Sequence, residues 1–493
     1  QGVSSAASDV YKRQVLYCAQ KICVNFSNEY FRHTHLFGCD FLFWKGAGTM
    51  ETDNKMGQEP INKLILQMSM PPLFSMFLQY SYNLVDSMFV AKINEQALAA
   101  VSLSFPITTL MNALSIWLGV GVNVRIASYL GQKRQEKADR VATLGLIVSV
   151  ILGICVNLFV LAIMKPYYRA FTNDAQIFSY GMTYMQICAF MQIPNMVHIL
   201  IQKELQATGN MLAPMWFQIA GVVFNFIFDP LLIFGIGPFP KMGIAGAALA
   251  TVLGYTLSML IALVMILFTK QKVRLQFQGF RIEGKMLGDV FASGLPSFIM
   301  NALGSFMVTF VNIFLVAYSD TAVAFFGAYF KVQQLIVMTV NGLIQGCLPI
   351  MSFNYGAGKK DRLQQSYRSG RKIATCMMAV GTLLVLVFPN QILALFSASK
   401  AMREFGIPAM RIMAIGFIFS GISTMAATYA QATNKLIQSI VIQLLRQAVL
   451  LLPVMWVCNL LFHIWGIWIA FPITEIVVMI VSILIVKSDK ISR

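Results

Sequence analysis

Two acids stand inside stretches that are otherwise apolar enough to enter lipid. Asp229 lies in QIAGVVFNFIFDPLLIFG, residues 218–235, and Asp86 lies in a stretch that also holds Gln79, Tyr82 and Asn83. Gln218, Asn225 and Asp229 are spaced i, i+7 and i+11, so they share one helix face. Gln79, Tyr82, Asn83 and Asp86 make a second stripe at spacings of three, four and seven, and Thr251, Tyr255 and Ser258 make a third at four and seven. An acid at membrane depth costs roughly 3 kcal/mol on insertion scales, and such residues face a hydrated cavity or a partner.

Turned inward, the three stripes enclose one wet pocket with two carboxylates in it. Both cannot stay ionised in a poorly solvated space, so a proton or a cation must neutralise them. Asn225 and the Thr251 hydroxyl are the oxygen ligands that Na⁺ accepts. A plainer account makes these groups simple helix-to-helix hydrogen bonds, at about 0.6 kcal/mol each, with Asp229 capping a helix end at Pro230. It suits the glutamines and asparagines but not two acids.

The elements that position these residues are membrane spans. The chain has 493 residues, 57% of them hydrophobic and only 12% charged, a balance that places it among polytopic membrane proteins. The expected fold class is all-α, with twelve transmembrane helices in two pseudo-symmetric six-helix lobes. Twelve apolar runs are long enough to span, the eighth near 322–351 with Lys331 inside it and the ninth a short one near 373–388. The net charge of +17 sits mostly in short loops, where it reads as topology and not as a nucleic-acid surface. Lys133, Arg134, Lys137 and Arg140, then Lys270 to Lys285, then Lys359 to Lys372 follow even-numbered spans. The positive-inside rule then puts both termini in the cytoplasm.

Other chemistry is excluded by what is missing. The eight cysteines have no pairing or metal-ligand spacing and the four histidines form no H-x-x-x-H pair, so no metal centre is expected beyond a possible Na⁺ at Asp86, Asn225, Asp229 and Thr251. The run Gly356-Ala357-Gly358-Lys359-Lys360 lacks the leading glycine and the hydroxyl of a phosphate-binding loop. No Ser/His/Asp set occurs in a span. The chain is expected not to be an enzyme and to need no cofactor other than Na⁺ or H⁺ as coupling ion.

The halves repeat. Phe171, Gly181, Met185 and Gln206-Ala207-Thr208 match Phe396, Gly406, Met410 and Gln431-Ala432-Thr433, and Pro71 matches Pro296, all displaced by 225 residues (431 − 206). Ser128-Tyr129 resembles Asn354-Tyr355 at 226 (354 − 128) and Gly243-Ile244 matches Gly466-Ile467 at 223 (466 − 243), and a near-constant displacement argues for two parallel lobes. The expected division is a segment 1–49 foreign to the pattern, translated from upstream or vector sequence; a first lobe 50–268; a cytoplasmic basic linker 269–291; and a second lobe with a short tail, 292–493. The second lobe is poorer in acids. Asn312 falls where a displacement of 226 residues (312 − 86) puts the partner of Asp86, and Glu475 has Arg446 and Lys331 as candidate partners.

Pro71, Gln79, Val85-Asp86-Ser87-Met88-Phe89-Val90, Leu205 to Asn210, Asn225-x-x-x-Asp229-Pro230 and Gly243 to Thr251 together resemble the multidrug and toxic-compound extrusion (MATE) family, in its bacterial DinF/MepA-like branch. The resemblance covers about residues 58–486. It implies a secondary antiporter of the bacterial cytoplasmic membrane that exports cationic amphipathic drugs in exchange for Na⁺ or H⁺. It assigns the cation site to Asp86, Asn225, Asp229 and Thr251, the solute pocket to Gln79, Tyr82, Asn83, Gln218 and Tyr255, and a helix-bending point to Pro71. The acids that one branch carries on helices 7 and 10 are missing here. Expected partners are membrane lipid and small organic cations, with no nucleic acid, and the chain is expected to act as a monomer. The alternative is a flippase for lipid-linked saccharide, as in a sister family, but it would want many cations lining the cavity, and midspan cations are few.

Overall fold

The computed structural model describes residues 52–277, 281–396 and 399–491, so the segment 1–49 lies outside it. Among the described residues there are helices and no strand. The spans are α1 (Ile61–Ala91), α2 (Glu95–Gly131), α3 (Gln135–Phe171), α4 in two segments (Ala175–Ala189 and Gln192–Ala207), α5 (Leu212–Phe234) and α6 (Ile244–Phe268). The second lobe has α7 (Gly284–Val316), α8 (Asp320–Gly356), α9 (Lys360–Val387), α10 (Lys400–Ala414 and Gly416–Ala432), α11 (Leu436–Leu444, a π turn Leu445–Val449, then Leu451–Phe462) and α12 (Ile464–Ile491).

Ten of these twelve are long and apolar enough to cross a bilayer, and α4 is an eleventh once its two segments, bent by 44°, are taken as one span. The twelfth, α1, has 31 residues, ample for a bilayer that needs about 20. What lowers its apolarity is the polar stripe from Gln79 to Asp86. The ninth span is longer than its apolar run. α9 starts at Lys360 because Leu363, Ser366, Tyr367 and Gly370 bury one face while Lys and Arg residues cover the other, an amphipathic entry that a search for apolar runs overlooks.

The repeat is visible in the backbone. α2 and α8 start at Glu95 and Asp320 and end at Gly131 and Gly356, each pair 225 residues apart. Their caps are equivalent: Asn94 accepts from the Ala97 amide and Ser319 from the Ala322 amide. Each satisfies an N–H that the first helical turn leaves free.

The lobes meet through glycines set in symmetric pairs. A Cβ on Gly131 would run into the backbone of Phe353, and one on its repeat partner Gly356 into the backbone of Ser128, the repeat partner of Phe353. The same holds one level up: Gly121 of α2 lies against Val290 of α7, and Gly346 of α8 lies against Ser69 of α1. Only a missing side chain lets helix backbones approach this closely. The seam lies on the side of the basic loops. Between the lobes, residues 269–277 are tied to α3, where the Asp139 carboxylate accepts from the Arg274 amide at 2.9 Å and the Thr143 hydroxyl from the Gln276 amide at 2.9 Å. α7 is already helical from Gly284.

α1 stays helical through Pro71 and Pro72, both buried. Each proline lacks an N–H, so the carbonyls of Gln67 and Met68 lose their helix partners, and this is where α1 is weakest.

Candidate transport site

α5 and α6 form a close hairpin. Gly235, in the left-handed region at φ 71°, stops α5, and the loop returns so that the Met242 amide bonds the Leu232 carbonyl at 2.9 Å. Gly246 and Gly254 then let α6 lie on α5, with Gly254 directly under the side-chain amide of Asn225. Thr251 lies three residues before Gly254, on the same face of α6.

α1 closes the site from the other side. Asp229 is fully buried, Asn225 nearly so and Asp86 half-buried. The Tyr82 hydroxyl donates to Asp229 Oδ2 at 2.9 Å, and the Thr251 hydroxyl lies within reach of the same phenol. Thr251 donates its own proton to the Ala247 carbonyl at 3.0 Å, which leaves its oxygen as an acceptor. The carboxyls of Asp86 and Asp229 are within hydrogen-bonding reach of each other. Asp86 Oδ1, Asn225 Oδ1 and Asp229 Oδ1 are buried and have no hydrogen-bond donor. Two ionised carboxylates in contact in a dry site repel strongly, and one positive charge between them, a proton or another cation, relieves that repulsion.

A polar cluster adjoins this pair. Gln218 donates to Gln79 at 2.8 Å and accepts from Gln202 at 3.3 Å. Tyr255 reaches Gln79, and the ring of His198 lies 5.7 Å from that of Tyr255. Asn83 is instead exposed on the neighbouring face of α1. Ser258 donates to the Phe217 carbonyl at 3.0 Å and so joins α5 to α6 without facing the acids.

Among the described residues the second lobe has no matching acid pair. Arg446, in the π turn of α11, pairs with Glu475 of α12 at 2.7 Å and donates to the Thr424 hydroxyl at 2.7 Å. Lys331 is exposed, and Asn312 is half-buried with Oδ1 unpartnered. One participant at the acid pair was not foreseen. Tyr184, on the first segment of α4, is close enough to Asp86 and Tyr82 to interact with both. Its sequence signal is nil, because a lone tyrosine in a span reads as filler.

A family model described as MatE matches residues 71–231 and again residues 296–457. The chain belongs to the MatE family. The two matches fall one on each lobe, as the repeat requires. Like the MatE family, the chain is a multi-pass membrane transporter and not an enzyme. Its relatives include a protein of Staphylococcus aureus named multidrug export protein MepA, 24% identical over 435 residues, covering 87% of this chain and 94% of that one. A protein of Shewanella oneidensis named FAD transporter is 24% identical over 421 residues, covering 85% of this chain and 92% of its own length. Among solved structures, a MATE in complex with MaL6 superposes with a TM-score of 0.83 at 23% identity, covering 89% of this chain and 97% of that one. An outward-facing multidrug resistance MATE transporter gives 0.83 at 24% identity, covering 87% and 96%. At these identities the structures speak for the shared twelve-helix, two-lobe fold.

Proposed function

We propose that this chain is a secondary antiporter that exports amphipathic organic compounds, organic cations among them, in exchange for a small cation. The coupling cation, H⁺ or Na⁺, binds at Asp86 and Asp229, with Asn225 and Thr251 as neutral oxygen ligands. The observation that carries this reading is the contact between the two carboxyls, each with an oxygen that no protein donor satisfies. Such a pair has a standing demand for one positive charge. Ions moving through it would draw on the membrane potential, which supplies about 2.3 kcal/mol per charge per 100 mV. The multidrug export name of the Staphylococcus relative supports organic compounds as cargo.

The chain would lie in a bacterial cytoplasmic membrane with both termini inside. Ion binding would change α1, and the weakening at Pro71 and Pro72 is where it would bend. The test uses vesicles holding a fluorescent organic cation, with Na⁺ and pH gradients imposed separately. Asp86→Asn and Asp229→Asn are each expected to abolish gradient-driven extrusion. Undiminished extrusion by both variants would remove the reading.

A further inference from the structure

Lys203, on the second segment of α4, is 8% exposed. Its ammonium donates to Gln206 Oε1 at 3.0 Å and to Gln345 Oε1 at 2.9 Å. Both acceptors are neutral amides. Among the described residues no carboxylate stands within ion-pair distance of it. A buried charge is ordinarily paired, because neutral dipoles return only part of the solvation it loses.

The obvious candidate for a counter-ion is Glu204, the next residue and itself 2% exposed. Neighbours along a helix point about 100° apart, and both Glu204 oxygens lack any hydrogen-bond donor. The two groups do not neutralise one another. Arg125, another cation between the lobes, differs: it has Asp289 at 3.5 Å.

The position of Lys203 matters. Gln345 belongs to α8 of the second lobe, takes a second bond from Gln206 at 2.9 Å and donates to the sulfur of Met76 on α1 at 3.1 Å. The ammonium therefore sits where α1 and α4 of one lobe meet α8 of the other. We propose that Lys203, framed by Gln206 and Gln345, is the recognition point for an anionic group, a phosphate or carboxylate, carried by a molecule lying between the lobes. This rests on the transport reading only for its purpose, and it extends the cargo to solutes that join an anionic group to an apolar or cationic body. A latch between the lobes is the competing use of the same bonds. A latch needs hydrogen bonds, which glutamine also provides; anion recognition needs the charge.

Riboflavin and riboflavin 5′-phosphate share a fluorescent ring and differ by one phosphate, so the pair isolates the charge. Binding is measured by equilibrium dialysis of the full chain in phosphatidylcholine nanodiscs with no ion gradient, so failure of ion coupling would not disturb it. The wild type should prefer the phosphate ester by about tenfold or more, the range of a charge-assisted hydrogen bond. Lys203→Arg should keep that preference. Lys203→Gln should bring the two probes within about twofold while leaving riboflavin binding unchanged, and Lys203→Met serves as a second neutral variant. Equal binding of both probes by the wild type, or a preference that survives in the neutral variants, overturns the proposal. Repeating the measurement with phosphatidylglycerol in the nanodiscs separates the sources: a preference lost there supports the site and assigns it to a lipid phosphate, and one retained supports it and assigns it to a soluble solute.

Discussion

The hydroxyl of Tyr82 on α1 donates to the carboxylate of Asp229 on α5 across 2.9 Å. That bond joins the helix weakened by two prolines to the helix carrying the deepest acid. It also occupies one oxygen of Asp229 and leaves the other, Oδ1, without a hydrogen-bond donor.

Tyr82→Phe keeps the ring and removes this donor. A hydrogen bond to a charged group is worth about 1.5–3 kcal/mol, so the variant should need a coupling-ion concentration about tenfold or more different from wild type for half-maximal extrusion. The maximal rate falls less, since both acids remain. An unchanged half-maximal concentration would show that the bond plays no part in ion binding.

His463, between α11 and α12, stands at φ 51° and ψ −137°, and Gly243, which opens α6 in the first lobe, stands at φ 57° and ψ −129°. Glycine takes this conformation freely, whereas a side chain pays about 1–3 kcal/mol for it. His463→Gly should therefore raise the thermal unfolding midpoint of the detergent-solubilised protein. The mirror change, Gly243→His, should lower it. Midpoints that move the other way would mean that the imidazole makes contacts worth more than the strain.

Much of this arrangement is legible in the chain itself, because the membrane forces polar residues in a span to be accounted for. The three stripes on α1, α5 and α6 point to a shared pocket; Tyr82 bonds Asp229, Asp86 lies within reach of Asp229, and Thr251 lies within reach of Tyr82. The stripe rule fails for Ser258, which bonds the neighbouring helix, and for Asn83, which turns outward. A period of 3.6 locates a face but not its rim. Lys203 was invisible for a different reason. In sequence it is one of two adjacent charges, with Glu204, near the end of a span, and its bond to the second lobe depends on Gln345 arriving from 142 residues away. The seam glycines are similar, since only the approach of a second backbone gives a missing side chain its meaning.

The Arg446–Glu475 pair offers a cycle of single and double variants. Both side chains are about 15% exposed or less, so removing one strands the other. Glu475→Gln or Arg446→Met alone should destabilise the second lobe by about 3 kcal/mol or more, whereas Arg446→Met with Glu475→Leu should recover most of that loss. The readout is the unfolding midpoint of the four proteins. Strict additivity would make the pair independent and cancel its role in holding α11 on α12.

The reciprocal contacts of Gly131 with Phe353 and of Gly356 with Ser128 make the last prediction a matter of symmetry. Adding a valine side chain at either glycine forces two backbones apart, at a cost of about 1–3 kcal/mol to the closed seam. Both variants should shift the protein toward an arrangement open on the side of the basic loops. Ser69, whose hydroxyl bonds the Leu343 carbonyl across the α1–α8 contact at 3.3 Å, can be replaced by cysteine as a reporter. Its labelling by a water-soluble maleimide should speed up by about tenfold in Gly131→Val and in Gly356→Val alike. Gly284→Ala, where the added methyl meets open space, should leave the rate unchanged. Because the two glycines are repeat partners pressing on repeat partners, a response in one variant alone would mean that the lobes do not close about a shared pseudo-twofold axis.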